Sequence, residues 1–118
     1  MLTDRAHSEL AKADHLFLTT TGRAGCTQTV ELWFACHEDT VYVLSGRGAG
    51  ADWVRNIDRD PRVELRIGRT THTGRARCIT EPDEGARAHR LIVCKYQPRS
   101  SAAWGTTPLP VAIDLDTA

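Results

Sequence analysis

The chain has 118 residues, with fifteen Lys and Arg set against fifteen Asp and Glu. A formal net charge of zero leaves no global field to draw it toward nucleic acid, and the length fits one domain that can bury a core without metal or disulfide staples. No apolar run reaches the roughly 20 residues that a membrane span needs, and the acid-bearing start MLTDRAHSELAKAD lacks the apolar core of a signal peptide.

These features predict a cytoplasmic protein without stable membrane insertion. Cys26, Cys36, Cys78 and Cys94 are scattered with no CxxC pair, which reads as reduced thiols in a chain without an export signal. The histidines at 7, 15, 37, 72 and 89 supply no clustered ligand set, so no metal site is expected. Thirteen of the fifteen basic residues are Arg, a bias that suits phosphate and carboxylate recognition through a planar fork of donors and that genome base composition explains as well.

The predicted elements begin with a helix from Leu2 to about Ala13, where Thr3 is the candidate cap and Leu2, Ala6, Leu10 and Ala13 keep helical spacing. Strands follow. His15–Thr21 is β-rich and is broken by Gly22-Arg23-Ala24-Gly25. Gln28–Cys36 reads as a second strand, joined through the polar tip His37-Glu38-Asp39 to Thr40–Ser45 as a hairpin. Gly46-Arg47-Gly48-Ala49-Gly50 leads into a short helix over Ala51–Asp60, with Trp53, Val54 and Ile57 on one face, and Pro61 ends it. Arg62–Ile67 alternates apolar and polar residues, and Gly68-Arg69 turns into the strand Thr70–Ile79. Thr80-Glu81-Pro82-Asp83 starts a helix that runs to about Lys95, with Thr80 as the expected cap. Tyr96–Pro108 is a polar loop and Leu109–Leu115 the closing strand. About six strands with two or three short helices in one compact domain predict a mainly β, α+β fold. Its architecture is a nearly closed antiparallel barrel with helical plugs, because most connections are too short for parallel crossovers.

Two glycine-bounded arginine loops stand out. Thr20-Thr21-Gly22-Arg23 ends the first strand and Ser45-Gly46-Arg47-Gly48 ends the third. Each sets hydroxyls, backbone amides and a guanidinium where an anionic group is held, although ordinary solvated turns have the same composition. Neither matches a Rossmann or Walker motif. The helix after the second loop brings its positive end beside Arg47, and Trp53 in its first turn is either a stacking platform or core. Tyr96 and Trp104, in a polar segment, are better ligand contacts than Trp33, which sits in a core-like run; a Tyr96 hydroxyl there has the chemistry to donate a proton.

Read together, LFLTTTGR, TVELWF, VYVLSGRGAGADWVRNIDRDPRVELRI, GRARCIT and CKYQPRSSAAW…LPVAIDL resemble the deazaflavin-dependent nitroreductase and quinone reductase family of actinobacteria. These are relatives of the pyridoxamine-phosphate-oxidase-like split barrels, and the resemblance runs from about His15 to Leu115. It implies a split β-barrel, pairing as a homodimer, and binding of reduced coenzyme F420 with hydride delivered to a quinone, nitroaromatic or activated alkene. By the same resemblance Thr20, Thr21 and Arg23 match the phosphate-side loop. Ser45, Gly46, Arg47 and Gly48 match the loop under the ring, and Trp53 and Asn56 the helix beside the cofactor. Tyr96 matches the start of the substrate lid; Trp104, from its place in the polar late segment, is expected to face the substrate with it. The chain departs at the first loop, where the family reads Gly-Arg-Lys-Ser/Thr-Gly-x-Pro-Arg. Here Gly22-Arg23-Ala24-Gly25-Cys26-Thr27-Gln28 has no Lys, no Pro and no second Arg. FMN in place of F420, a bound fatty acid or haem, and a cofactor-free biosynthetic role are the alternatives.

Overall fold

The computed structural model describes residues 4–46, 50–96 and 109–116. Among them, helix α1 (Asp4–Lys12) precedes strands β1 (Leu16–Thr21), β2 (Thr27–Leu32), β3 (Phe34–His37) and β4 (Thr40–Ser45). Helix α2 (Asp52–Arg59), strands β5 (Arg62–Ile67) and β6 (Thr70–Cys78), helix α3 (Pro82–Tyr96) and strand β7 (Leu109–Leu115) follow. The strands form one antiparallel sheet in the order β2-β1-β5-β6-β7-β4-β3. This is the expected mainly β split barrel.

The strand count is seven where the sequence predicts six. The run Gln28–Cys36 is cut at Trp33, so β2 pairs with β1 while β3 pairs with β4. The predicted hairpin therefore exists only as β3–β4. The consequence is topological: β2 and β3 are the two outer strands of the sheet, and a single residue joins them. A sheet whose opposite edges are consecutive in sequence has to curl until they meet at that residue.

Tyr96, the last residue of α3, fastens this corner. Its hydroxyl accepts from the Phe34 N–H at 3.0 Å and donates to the Asp14 carbonyl at 2.7 Å, with the Phe34 carbonyl oxygen also 3.0 Å away. Its ring stacks on Trp33, with centroids 4.4 Å apart and planes 3° from parallel. Lys95 lies over the Phe34 ring, its Nζ 3.7 Å from the centroid, and burial pushes the amine below its ordinary pKa.

Burial follows the pleat. On β5, Val63, Leu65 and Ile67 are buried and Arg62, Glu64 and Arg66 are exposed, as the alternation predicts. On β4 both faces are buried. Val41 and Val43 point into the barrel, while Tyr42 and Leu44 lie beneath α3 with Ala88 and Ile92. Each such aliphatic side chain contributes about 1.5–3 kcal/mol on burial. Gly74 on β6 is required by close approach, since a Cβ there would stand 2.6 Å from the Asp114 carbonyl oxygen. Helix α3 opens at Pro82, two residues after the predicted Thr80 cap, with Pro82 at the tolerated first position.

Outside the barrel, Arg77 donates to both Glu84 oxygens at 2.7 and 2.8 Å and to Asp114 at 2.8 Å, and the Tyr42 hydroxyl donates to Glu84 at 3.0 Å. The Arg77 guanidinium, and then Tyr42, hold the Glu84 carboxyl down from 4.5 to about 2. A carboxyl depressed on folding stabilises in full above 4.5, and that contribution is lost as pH falls toward 2. Glu84→Gln should therefore be less stable than the wild type at pH 6, with the gap closing toward pH 2 in urea titrations; a pH-independent gap would contradict the pairing. Tyr96→Phe strands a buried N–H and carbonyl and should cost about 1–3 kcal/mol; a change under roughly 0.3 kcal/mol would remove the corner's dependence on that hydroxyl.

Candidate functional site

Because the sheet edges meet at Trp33 and diverge from it, the barrel is split between the free edge of β2 and the end of β4. The split opens a cleft of about 340 Å³, near the lower end of small-molecule sites at about 300–1,000 Å³. Gln28, Val30 and Leu32 line one side from the inner face of β2. Leu44, Ser45 and Gly46 line the other, and Ala51, Asp52 and Trp53 close it from the start of α2. A larger groove of about 540 Å³ lies between α1 and the β5–β6 turn, bordered by Arg5, Lys12 and Arg69. It is shallower and contains none of the residues the sequence singles out, so the split is the candidate site.

Helix α2 supplies more than a wall. Ala51 at its N-cap has no side chain to bond the first-turn amides, and Ala51, Asp52 and Trp53 face the cleft. Val54 and Arg55 donate to the Ala51 carbonyl at 3.1 Å, which leaves the amides of Asp52 and Trp53 as the first-turn donors on the cleft side of the helix. One turn further in, Asn56 is 8% exposed. Its amide nitrogen donates to Thr20 Oγ1 at 3.0 Å and to Gln28 Oε1 at 3.3 Å. Thr20 and Gln28 are direct partners across β1 and β2, so one amide ties helix to sheet. Gly22 is small for the same reason, because a Cβ there would stand 3.1 Å from Asn56 Oδ1.

The expected site residues divide into three groups. Ser45, Gly46 and Trp53 converge on the cleft; Ser45 and Trp53 are nearly buried, at 2% and 6% exposure. Thr20 and Asn56 stand behind its Gln28 wall as the network just described. Thr21 faces the opposite side of the sheet, bordering a shallow depression with Thr19, Thr27 and Arg62, and Arg23 is exposed in a single 3-10 turn that passes through Ala24 at φ 58°. Arg47, Gly48 and Trp104 lie outside the described residues.

Tyr96 corrects an expectation. The sequence sets it where the last helix gives way to a polar segment facing substrate; it does end α3, but at 1% exposure and with its hydroxyl holding the β3 corner. The proton-donor role has no support in this geometry. Trp33 packs against the core as its run suggests, half-buried on Tyr96 at the sheet corner. The inner face of β2 is what sequence reasoning missed. The alternation Gln28-Val30-Leu32 was its signal, hidden because the whole run read as core.

The groups pushed from ordinary ionisation all lie away from the cleft. Burial drives the Cys36 thiol up to about 11 despite nearby Lys95, and raises Cys78 beside Asp58. Glu84 and Lys95 belong to the network outside the barrel and to the corner. The described lining of the cleft carries two carboxylates, Glu31 and Asp52, beside its apolar and amide groups.

The sequence as a whole decides the family. The model for F420H(2)-dependent quinone reductases matches residues 3–116. The chain belongs to that family. Comparison with curated proteins finds no match. Among solved structures, an F420-H2-dependent reductase is 18% identical, with a TM-score of 0.67 over 85% of this chain and 93% of that one. A domain-swapped dimer is 20% identical, with a TM-score of 0.70 over 85% and 79%. A heme-binding protein from Mycobacterium smegmatis is 16% identical, with a TM-score of 0.74 over 98% of this chain and 53% of that one. At these identities the likenesses establish the shared fold.

Proposed function

We propose that the protein is an F420-dependent oxidoreductase that binds the deazaflavin in the barrel split and reduces a quinone, nitroaromatic or activated alkene. The observation that carries this reading is the cleft itself, within a chain of the F420H(2)-dependent quinone reductase family. Reduced F420, when bound, supplies the hydride. The chain's part is to seat and orient the ring. Trp53, Val30 and Leu32 offer apolar walls, Ser45 and Gly46 border the floor, and the uncapped α2 amides offer donors.

The described lining fits the ring better than the phosphate. It contains no Lys or Arg and carries two carboxylates, Glu31 and Asp52. We assign the phosphate and its acidic tail to Arg23, on the side that the family resemblance gives to the phosphate, and to Arg47, with Gly48 beside it; Thr20 and Thr21 end the strand that carries this loop. Trp104 is assigned to the acceptor side from its place in the polar late segment of the sequence. Haem is less well served, because no His, Cys, Met or Tyr lines the described cleft to serve as an axial ligand. FMN remains the alternative flavin. A fatty acid, or a cofactor-free role, is the reading left if neither flavin binds.

We further propose a homodimer, on the strength of the structurally similar domain-swapped dimer. We place it in the cytoplasm, since its four cysteines are free thiols and no helix among the described residues is long and apolar enough to cross a membrane.

Titration with F420 and FMN by fluorescence tests the cofactor. F420 should bind with a dissociation constant below about 100 µM, near 5.5 kcal/mol, and FMN more weakly. Val30→Trp, which puts an indole into the cleft from an edge strand, should abolish binding while leaving the thermal midpoint within a few degrees. Full affinity in that variant would place the cofactor elsewhere.

A further inference from the structure

We propose that Gln28 reads a neutral ring carbonyl in the cleft, donating from Nε2, and that Asn56 is the positioning residue that turns the Gln28 amide to do so. The inference rests on the split being the ligand site and adds a specificity element that the family resemblance does not supply.

The orientation follows from the two hydrogen bonds that Asn56 donates. Asn56 Nδ2 carries two hydrogens and has two acceptors, Thr20 Oγ1 at 3.0 Å and Gln28 Oε1 at 3.3 Å. Gln28 Oε1 is therefore occupied on the helix side. Its Nε2 has no side-chain partner among the described residues, and Gln28 lines the cleft between β2 and α2. The group left to the ligand is an uncharged donor.

A neutral donor selects its acceptor by charge where the described lining carries two carboxylates, Glu31 and Asp52, and no cation. A phosphate or carboxylate there would lose water without gaining a counter-charge, since the described lining holds no cation. A carbonyl oxygen in the plane of a conjugated ring meets no such penalty, and Trp53 stands beside it as a flat wall. Both the deazaflavin ring and a quinone acceptor carry such carbonyls.

Gln28→Glu is the test, because the carboxylate still accepts from Asn56 and preserves the network while removing the donor. Three probes are used: oxidised F420, the same deazaflavin riboside without phosphate and tail, and menadione as acceptor in F420H2 turnover. The proposal expects Gln28→Glu to weaken F420 and the phosphate-free riboside by the same factor, about tenfold or more. A rise confined to the menadione KM, with both affinities kept, supports the carbonyl reading and assigns the carbonyl to the acceptor. Loss confined to phosphate-bearing F420, or no change with any probe, overturns it. Wild-type protein that binds neither deazaflavin refutes the cofactor reading itself, a result distinct from all of these.

Asn56→Asp tests the positioning. An aspartate accepts without donating, so Gln28 would turn Nε2 toward it and present Oε1 to the ligand. Its loss of affinity should match that of Gln28→Met, and the Gln28→Met, Asn56→Asp double variant should be no worse than either single one, with folding checked by thermal unfolding. Additive losses would show that Asn56 acts structurally and apart from Gln28.

Discussion

The structure turns on the covalent link between its two sheet edges. β2 and β3 are the outermost strands, yet Trp33 alone separates them, so the sheet cannot lie open. Closure by this route leaves backbone groups at the bend that neither ladder can satisfy, and buried amides without partners are costly. Tyr96 resolves this from outside the sheet, answering Phe34 N–H and the Asp14 carbonyl with one hydroxyl while its ring packs on Trp33. Helix α3 is thereby both the cover of the β4–β7 outer face and the clamp of the corner.

The functional opening is the other side of the same constraint. Edges joined at one point diverge elsewhere, and the gap is too wide for β2 to pair with β4. The start of α2 fills part of it and the cleft is what remains. An exposed strand edge is ordinarily a hazard for aggregation; here it faces a pocket, where its side chains and the helix amides are available to a ligand. Asn56 ties α2 to Thr20 and Gln28 at once, on the β2 side of the gap.

Much of this was legible in the sequence. The helices around α1, α2 and α3, the alternation of β5 and the Ser45-Gly46 loop beside Trp53 all followed from local pattern, because hydrophobic periodicity and glycine punctuation are properties of short segments. The break at Trp33 was not legible. Gln28–Cys36 is continuously β-prone, and only the three-dimensional closure of the sheet requires that half of it pair with β1 and half with β4. The misreading of Tyr96 has the same origin, since its partners Phe34 and Asp14 are 62 and 82 residues away. Local polarity placed it in a loop, and long-range packing placed it in the core. Gln28 was hidden behind the same uninterrupted run.

Amide hydrogen exchange with and without oxidised F420 tests most directly whether the split holds the cofactor. The account predicts slowed exchange at Gln28–Leu32, Ser45–Gly46 and Ala51–Trp53, with α3 and the β5–β6 turn unchanged. Protection centred instead on α1 and the groove beside Arg5, Lys12 and Arg69 would contradict it.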